Sequence, residues 1–234
     1  MMMEMDCKNN FSRHNMRQRF SIIVLFLLFY GMPVLGQNAE IPEEYVLIKE
    51  VYGDVDKDGQ NEKVAVYNMT NVEDDFQGIS RELVVYKRKG NNWTIWKRSK
   101  EAIGGSKDGG MMGDPFEGIE IKNGILLVYQ SGGSSWKWSN VDKYRFQNSE
   151  FELIGYSTNF GKLCEYWENI DFNISTRQLT IKKEYEECQN EEQNIYKKEN
   201  ETFTYKLKES ITIQNRKKNK IKIVSPKYKH EIYI

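Results

Sequence analysis

Four carboxylates crowd into residues 54–62, which read Asp-Val-Asp-Lys-Asp-Gly-Gln-Asn-Glu. Asp54, Asp56, Asp58 and Glu62 take loop positions 1, 3, 5 and 9, with Gly59 at position 6. Like charges at this density repel unless a cation or hydrogen-bond donors offset them. Calcium suits such a set because it is hard, takes about six to eight oxygen ligands and accepts irregular geometry. Alternate residues Asp54, Asp56 and Asp58 can turn their oxygens inward together, and Gly59 permits the bend that follows. The backbone carbonyl of Gln60 would supply the next ligand and Glu62 would close the shell. The expected metal site is therefore Asp54, Asp56, Asp58, Gln60 and Glu62, holding a structural Ca2+. The competing readings are an acidic turn without an ion, and another hard cation. An ordinary EF-hand does not fit, since position 12, which needs a bidentate glutamate, is Ala65 and the next residues read as a strand.

Other candidate chemistry is sparser. The chain has two histidines, His14 and His230, and contains neither an HExxH nor a G-x-S-x-G segment. No catalytic residue is assigned. Glu117 and Glu120 are three apart, so a regular strand would point them to opposite faces. Tyr129, Trp136, Trp138 and Tyr144 flank Gly132 and Gly133 and form the candidate ligand surface, because aromatic faces stack on the apolar patches of sugars and peptides. The same residues can instead fill a core. Residues 109–114 are glycine-rich but lack the lysine and the strand–helix setting of a phosphate loop. Asp114 reads as a second ion ligand or as an ordinary Asp-Pro turn. The basic run 216–222 is a cationic patch or an exposed turn.

These residues sit behind a targeting segment. Residues 20–30, FSIIVLFLLFY, are a short apolar run preceded by Arg17 and Arg19 and ended by Gly31 and Pro33. That order is a signal peptide over 1–36, cut after Gly36, with Met16 as an alternative start. The run falls short of the roughly 20 residues of a permanent span. The whole chain of 234 residues balances 34 bases against 34 acids. Removing 1–36 takes away four bases and two acids, so about −2 of charge remains. Nucleic-acid recognition does not fit an exported protein without basic excess. Cys7 leaves with the leader. Cys164 and Cys188 then form an even pair in an oxidising compartment, which invites a disulfide worth about 3.5 kcal/mol by chain entropy. Two buried free thiols are the alternative.

The elements that must position these groups read as strands. Residues 63–67, 83–86, 93–96, 119–121, 125–129, 136–146 and 151–156 are short β-prone runs. Asn123-Gly124 between apolar runs is a hairpin signal, since both residues tolerate positive φ. Gly90-Asn91-Asn92, Gln147-Asn148-Ser149 and Ser175-Thr176-Arg177 read as further connectors. Residues 203–207, 211–213 and 221–223 continue the alternation. Short helices are offered at 42–50 and 99–103, and residues 184–201 as either helix or loop. The fold class is all-β, an antiparallel sandwich or meander. The expected organisation is one exported domain over 37–234, with 161–234 as a candidate C-terminal hairpin extension.

The 54–62 loop resembles the Asp-x-Asp-x-Asp-Gly-x-x-Asp calcium loops of FG-GAP repeats in integrin-like propellers, which also lead into a strand. Here Glu62 replaces the last aspartate, and tandem copies are absent. The loop, Gly113-Asp114-Pro115-Phe116 and the stretch from Gly132 to Trp138 together resemble small secreted proteins of Bacteroidetes-type bacteria. That resemblance implies a compartment and a domain type but no activity. The expected role is a soluble exported domain with a structural calcium loop. A carbohydrate-active enzyme, or an interaction or inhibitor module binding a secreted protein, are the alternatives.

Overall fold

Nearly every element is a strand paired with its neighbour in sequence. The structure is a computed structural model and describes residues 41–234 apart from 75, 77, 190, 191, 219 and 220. The leader assigned to 1–36 and the start at Met16 lie outside the described residues. Strands β1 (Tyr45–Gly53), β2 (Glu62–Asp74), β3 (Gly78–Lys89) and β4 (Asn92–Ser99) form a four-stranded antiparallel sheet in chain order. Strands β5 (Phe116–Lys122), β6 (Ile125–Gly133), β7 (Lys137–Gln147), β8 (Glu150–Lys162), β9 (Tyr166–Asn173), β10 (Gln178–Gln189) and β11 (Glu192–Thr204) form a seven-stranded antiparallel meander. A final hairpin pairs β12 (Lys222–Val224) with β13 (Glu231–Tyr233). The only helical turn among the described residues is a 3-10 turn at Gly110–Met112.

The two large sheets share one core. Val64, Val66, Leu83 and Val85 face Leu126, Val128, Tyr144, Phe151, Phe172, Leu179 and Ile181. Trp96 of β4 meets Phe146 of β7 at 4.4 Å and Phe151 of β8 at 5.5 Å between ring centroids. The central strands bury alternate residues on that side, as an antiparallel sheet with one wet face does. Like β2 at Val64, Ala65 and Val66 and β8 at Leu153 and Ile154, β3 departs from this at Leu83, Val84 and Val85, all buried. Its outer face is covered by a small second cluster of Ala65, Val84 and Tyr86 with Ile41, Trp93 and Ile95 against it.

The turns follow their sequence signals. Asn123 and Gly124 have φ of 54° and 74°, so both occupy the left-handed region that a tight β-hairpin needs. Asn148 and Ser149 do the same between β7 and β8, and Arg177 between β9 and β10.

Three readings change. Residues 42–50 are not helical: the Tyr45 N–H donates to the Pro42 carbonyl at 3.0 Å and the chain then enters β1. Residues 99–103 also form no helix. Residues 184–201 are neither helix nor loop but the two legs of the β10–β11 hairpin, in which Glu184 pairs with Lys198 and Tyr185 with Lys197. Their charge density disguised a strand because this far end of the sheet has little covering it.

Residues after 160 continue the same sheet and core. β9 to β11 extend the large sheet, and Ile211, Ile213, Ile223, Ile232 and Ile234 enter the same core. The 211–213 segment docks on β8 through Leu153 N–H to the Ile211 carbonyl at 2.8 Å and Ile213 N–H to the Phe151 carbonyl at 3.1 Å.

Candidate functional site

Residues 54–61 connect β1 to β2, and their side chains bind their own backbone. Asp54 accepts the Asp58 N–H at 3.1 Å on Oδ1 and the Gly59 N–H at 3.0 Å on Oδ2. Asp56 accepts the Asp58 N–H at 3.3 Å, and Asp58 accepts the Gln60 N–H at 2.8 Å. Aspartate favours turns for this reason, since its short side chain replaces a missing backbone partner. Gly59 has φ of 88° and no atom near where a Cβ would stand, so the backbone conformation alone calls for glycine there. As a result Asp54, Asp56 and Asp58 each offer a carboxylate oxygen within 4.8 Å of the others.

The loop is anchored from below and from the side. Val55 is buried in the main core. Glu62, the first residue of β2, is buried and accepts the Val55 N–H at 2.9 Å. Burial pushes the Glu62 carboxyl above its ordinary value, against the pull of the Val55 N–H and with the added repulsion of Asp56 and Asp58. Gly53 faces β5 so closely that a Cβ would lie 2.7 Å from Ile121 Cγ2. The β5–β6 turn also abuts the loop, because a Cβ on Gly124 would stand 3.2 Å from the Asp54 carbonyl oxygen. The loop therefore sits where the two sheets meet.

A lysine from β3, which the sequence reading missed, faces the carboxylates. Lys87 Nζ bonds Asp56 Oδ2 and lies 3.4 Å from Asp58 Oδ2. The same ammonium is 4.2 Å from the centroid of the Trp96 ring. The bond to Asp56 raises the Lys87 pKa against the lowering effect of burial. No spacing rule points to Lys87, which reaches the loop only because β3 pairs with β2.

The donor set fits a hard cation. It consists of the carboxylate oxygens of Asp54, Asp56 and Asp58, brought together. The Glu62 carboxylate lies outside that group and accepts from Val55, and the Gln60 N–H donates to Asp58. A divalent ion here would compete with the Lys87 ammonium for Asp56 and Asp58.

The candidate ligand surface does not assemble as one patch. Tyr144 is 0% exposed and donates its hydroxyl to Asp142 at 3.0 Å. Tyr129 stands on the outer face of the large sheet and donates to Glu120 at 2.9 Å. Trp136 and Trp138 lie toward the inner face, where Trp136 stacks on Phe160 with centroids 5.3 Å apart. Glu117 and Glu120 both reach the outer face, bonding Ser131 and Tyr129. The register shift between Phe116 and Gly118 explains this, because a bulge breaks the two-residue alternation. Asp114 bonds the buried Arg81 and caps the Phe116 N–H at 2.9 Å. In the basic run, Arg216 clasps Asp142 through Nε at 2.7 Å and a second nitrogen at 3.1 Å. That bidentate pair is buried, so Arg216 is not part of a cationic surface.

Cys164 and Cys188 form a disulfide, with Cα atoms 5.2 Å apart. It ties the β8–β9 turn to the end of β10. A disulfide is compatible with an oxidising, exported compartment. Among the described residues no helix is long and apolar enough to cross a membrane. No family model, no curated protein and no solved structure matches the chain.

Proposed function

We propose that this chain is an exported β domain whose aspartate loop takes up calcium as a structural clasp. The observation that carries the reading is the convergence of the Asp54, Asp56 and Asp58 carboxylates at the meeting point of the two sheets. Calcium prefers such an all-oxygen set, and its charge would offset three carboxylates more fully than one ammonium does. When calcium takes Asp56, Lys87 keeps its place over the Trp96 ring. The ion's contribution is to hold the start of β2 against β1 and the β5–β6 turn. Export is supported by the leader pattern over 1–36 and by the Cys164–Cys188 bridge.

Calorimetry with chelator and with millimolar calcium tests this. Calcium at a hundred times its dissociation constant raises stability by about 2.7 kcal/mol. Asp56→Ala abolishes that gain. Superimposable melting curves in chelator and in calcium overturn the proposal. Intact mass of the secreted product tests the cleavage after Gly36 and the disulfide in the same measurement.

A further inference from the structure

The inner face of the seven-stranded sheet is longer than the apolar core that covers it, and strand register lays it out in rows. One row runs Val128, Asp142, Tyr156, Phe172, Leu179 and Phe203, and the core covers most of it. Two steps further along the strands the row becomes Gly132, Trp138, Phe160, Glu168, Lys183 and Glu199. That outer row changes from aromatic to charged across six strands.

The C-terminal hairpin arches over this row. Glu201 accepts the Lys227 N–H at 2.7 Å and the Tyr228 N–H at 3.3 Å, which fixes the turn of the hairpin to β11. His230 reaches down between two carboxylates, with Nε2 at 2.9 Å from Glu199 and Nδ1 at 3.9 Å from Glu168. Between hairpin and sheet lies a cleft of about 550 Å3, within the usual range of small-molecule sites. Trp138, Phe160 and Tyr166 form one wall, Glu168 and Lys183 the floor, and His230 the roof.

The floor has bonding capacity to spare. Glu168 and Lys183 side chains are only 11% and 12% exposed, yet their closest approach is 3.6 Å. That is an ion pair but longer than a charge-assisted hydrogen bond, which spans about 2.7–2.9 Å. Lys183 Nζ rests instead 3.7 Å from the Tyr166 ring centroid. A largely buried acceptor and a largely buried donor thus stand side by side, facing open space. A ligand hydroxyl there can bond both groups in place of the water that reaches them.

We propose that this cleft binds a neutral sugar ring. The charges of Glu168 and Lys183 pair with each other, and Glu231, which also lines the cleft, pairs with Lys222 at 2.6 Å, so neither an anion nor a cation is selected. Adjacent hydroxyls can donate to Glu168 and accept from Lys183, while the C–H face of a pyranose lies on the aromatic wall. The wall is angled, not a parallel slot: Tyr166 is tilted 56° to Phe160. That shape suits a puckered ring better than a flat aromatic one. Exposed Tyr233 lines the same cleft, where a longer chain would leave it.

The test uses the full disulfide-bonded protein, labelled and screened on an array of neutral and charged oligosaccharides, with calorimetry on those that bind. A neutral oligosaccharide is expected to bind, and Trp138→Ala and Lys183→Met each weaken it about tenfold or more. Trp138→Phe, which keeps an aromatic face, retains most of the affinity and separates loss of stacking from loss of folding. Competition by monosaccharide marks a free sugar as the ligand, whereas a need for a tetrasaccharide marks a polymer, and either supports the site. The proposal is overturned if no neutral glycan binds, if only charged glycans bind, or if the Trp138 and Lys183 variants bind as the parent does.

Discussion

The aspartate loop and the cleft under the C-terminal hairpin both gather charge, but they are built in opposite ways. The loop takes its carboxylates from consecutive residues between β1 and β2, and its own N–H groups hold them. The cleft takes its groups from β7, β8, β9, β10 and the final hairpin, and only strand register brings them together. The loop is a local device that an ion can brace without altering the sheets. The cleft exists only while the whole seven-stranded meander and its hairpin are in place. Perturbing one should therefore be felt locally, and perturbing the support of the other should be felt globally.

The largest effect is expected at the cleft's support. Asp142 sits two rows inward, where it accepts from Tyr144 and from two nitrogens of Arg216. Asp142→Ala leaves a buried guanidinium without its partner, which costs about 3–5 kcal/mol. Denaturant unfolding measures that loss. Adding Arg216→Met removes the stranded charge and should recover a large part of it. If Asp142→Ala costs under about 1 kcal/mol, the pair is solvated and the contrast between a global and a local site fails.

A smaller and more local effect is expected at Lys87. Lys87→Met removes the cation that faces Asp56 and Asp58, so the protein without calcium loses stability while calcium binds more tightly. A gain of about tenfold in affinity corresponds to about 1.4 kcal/mol. Titration calorimetry against parent protein checks the sign. An unchanged or weaker calcium affinity in Lys87→Met would show that the lysine does not compete with the ion. The glycan affinity of the cleft should not move, and if it does the two regions are not independent.

This contrast also accounts for what could be read from the sequence. The loop was legible because Asp54, Asp56, Asp58 and Gly59 act through spacing in one segment. The Asn123-Gly124 turn was legible for the same reason, and so was the all-β class, from short apolar runs between turn residues. Lys87, Glu168 and Lys183 were not legible, since each matters through a partner that strand pairing supplies. The 184–201 hairpin was missed because Glu, Gln and Asn crowd a thinly covered end of the sheet, where apolar residues leave no periodic signature. Glu117 and Glu120 were assigned to opposite faces by strand alternation, and the bulge at Gly118 cancelled that rule.

The smallest effect is a pH dependence confined to the hairpin that roofs the cleft. Burial alone would raise the Glu201 carboxyl, but the Lys227 N–H, the Ser225 hydroxyl and the Tyr228 N–H together hold it below its ordinary value of 4.5. Glu199 is held low chiefly by Lys197, and Glu231 chiefly by Lys222. A carboxyl that is more acidic in the folded state stabilises it above the unfolded value, and that contribution disappears as pH falls through the folded value. Hairpin docking should thus be unchanged from neutrality down to about pH 4.5 and loosen below it. Hydrogen exchange of the Lys227, Tyr228 and His230 amides across that range reads the loosening directly. Glu201→Gln keeps the shape but weakens the acceptor, so it should expose those amides already at neutral pH. Amides that exchange at the same rate in Glu201→Gln and in the parent would mean that the isoleucines of the hairpin, not its carboxylates, hold the roof down.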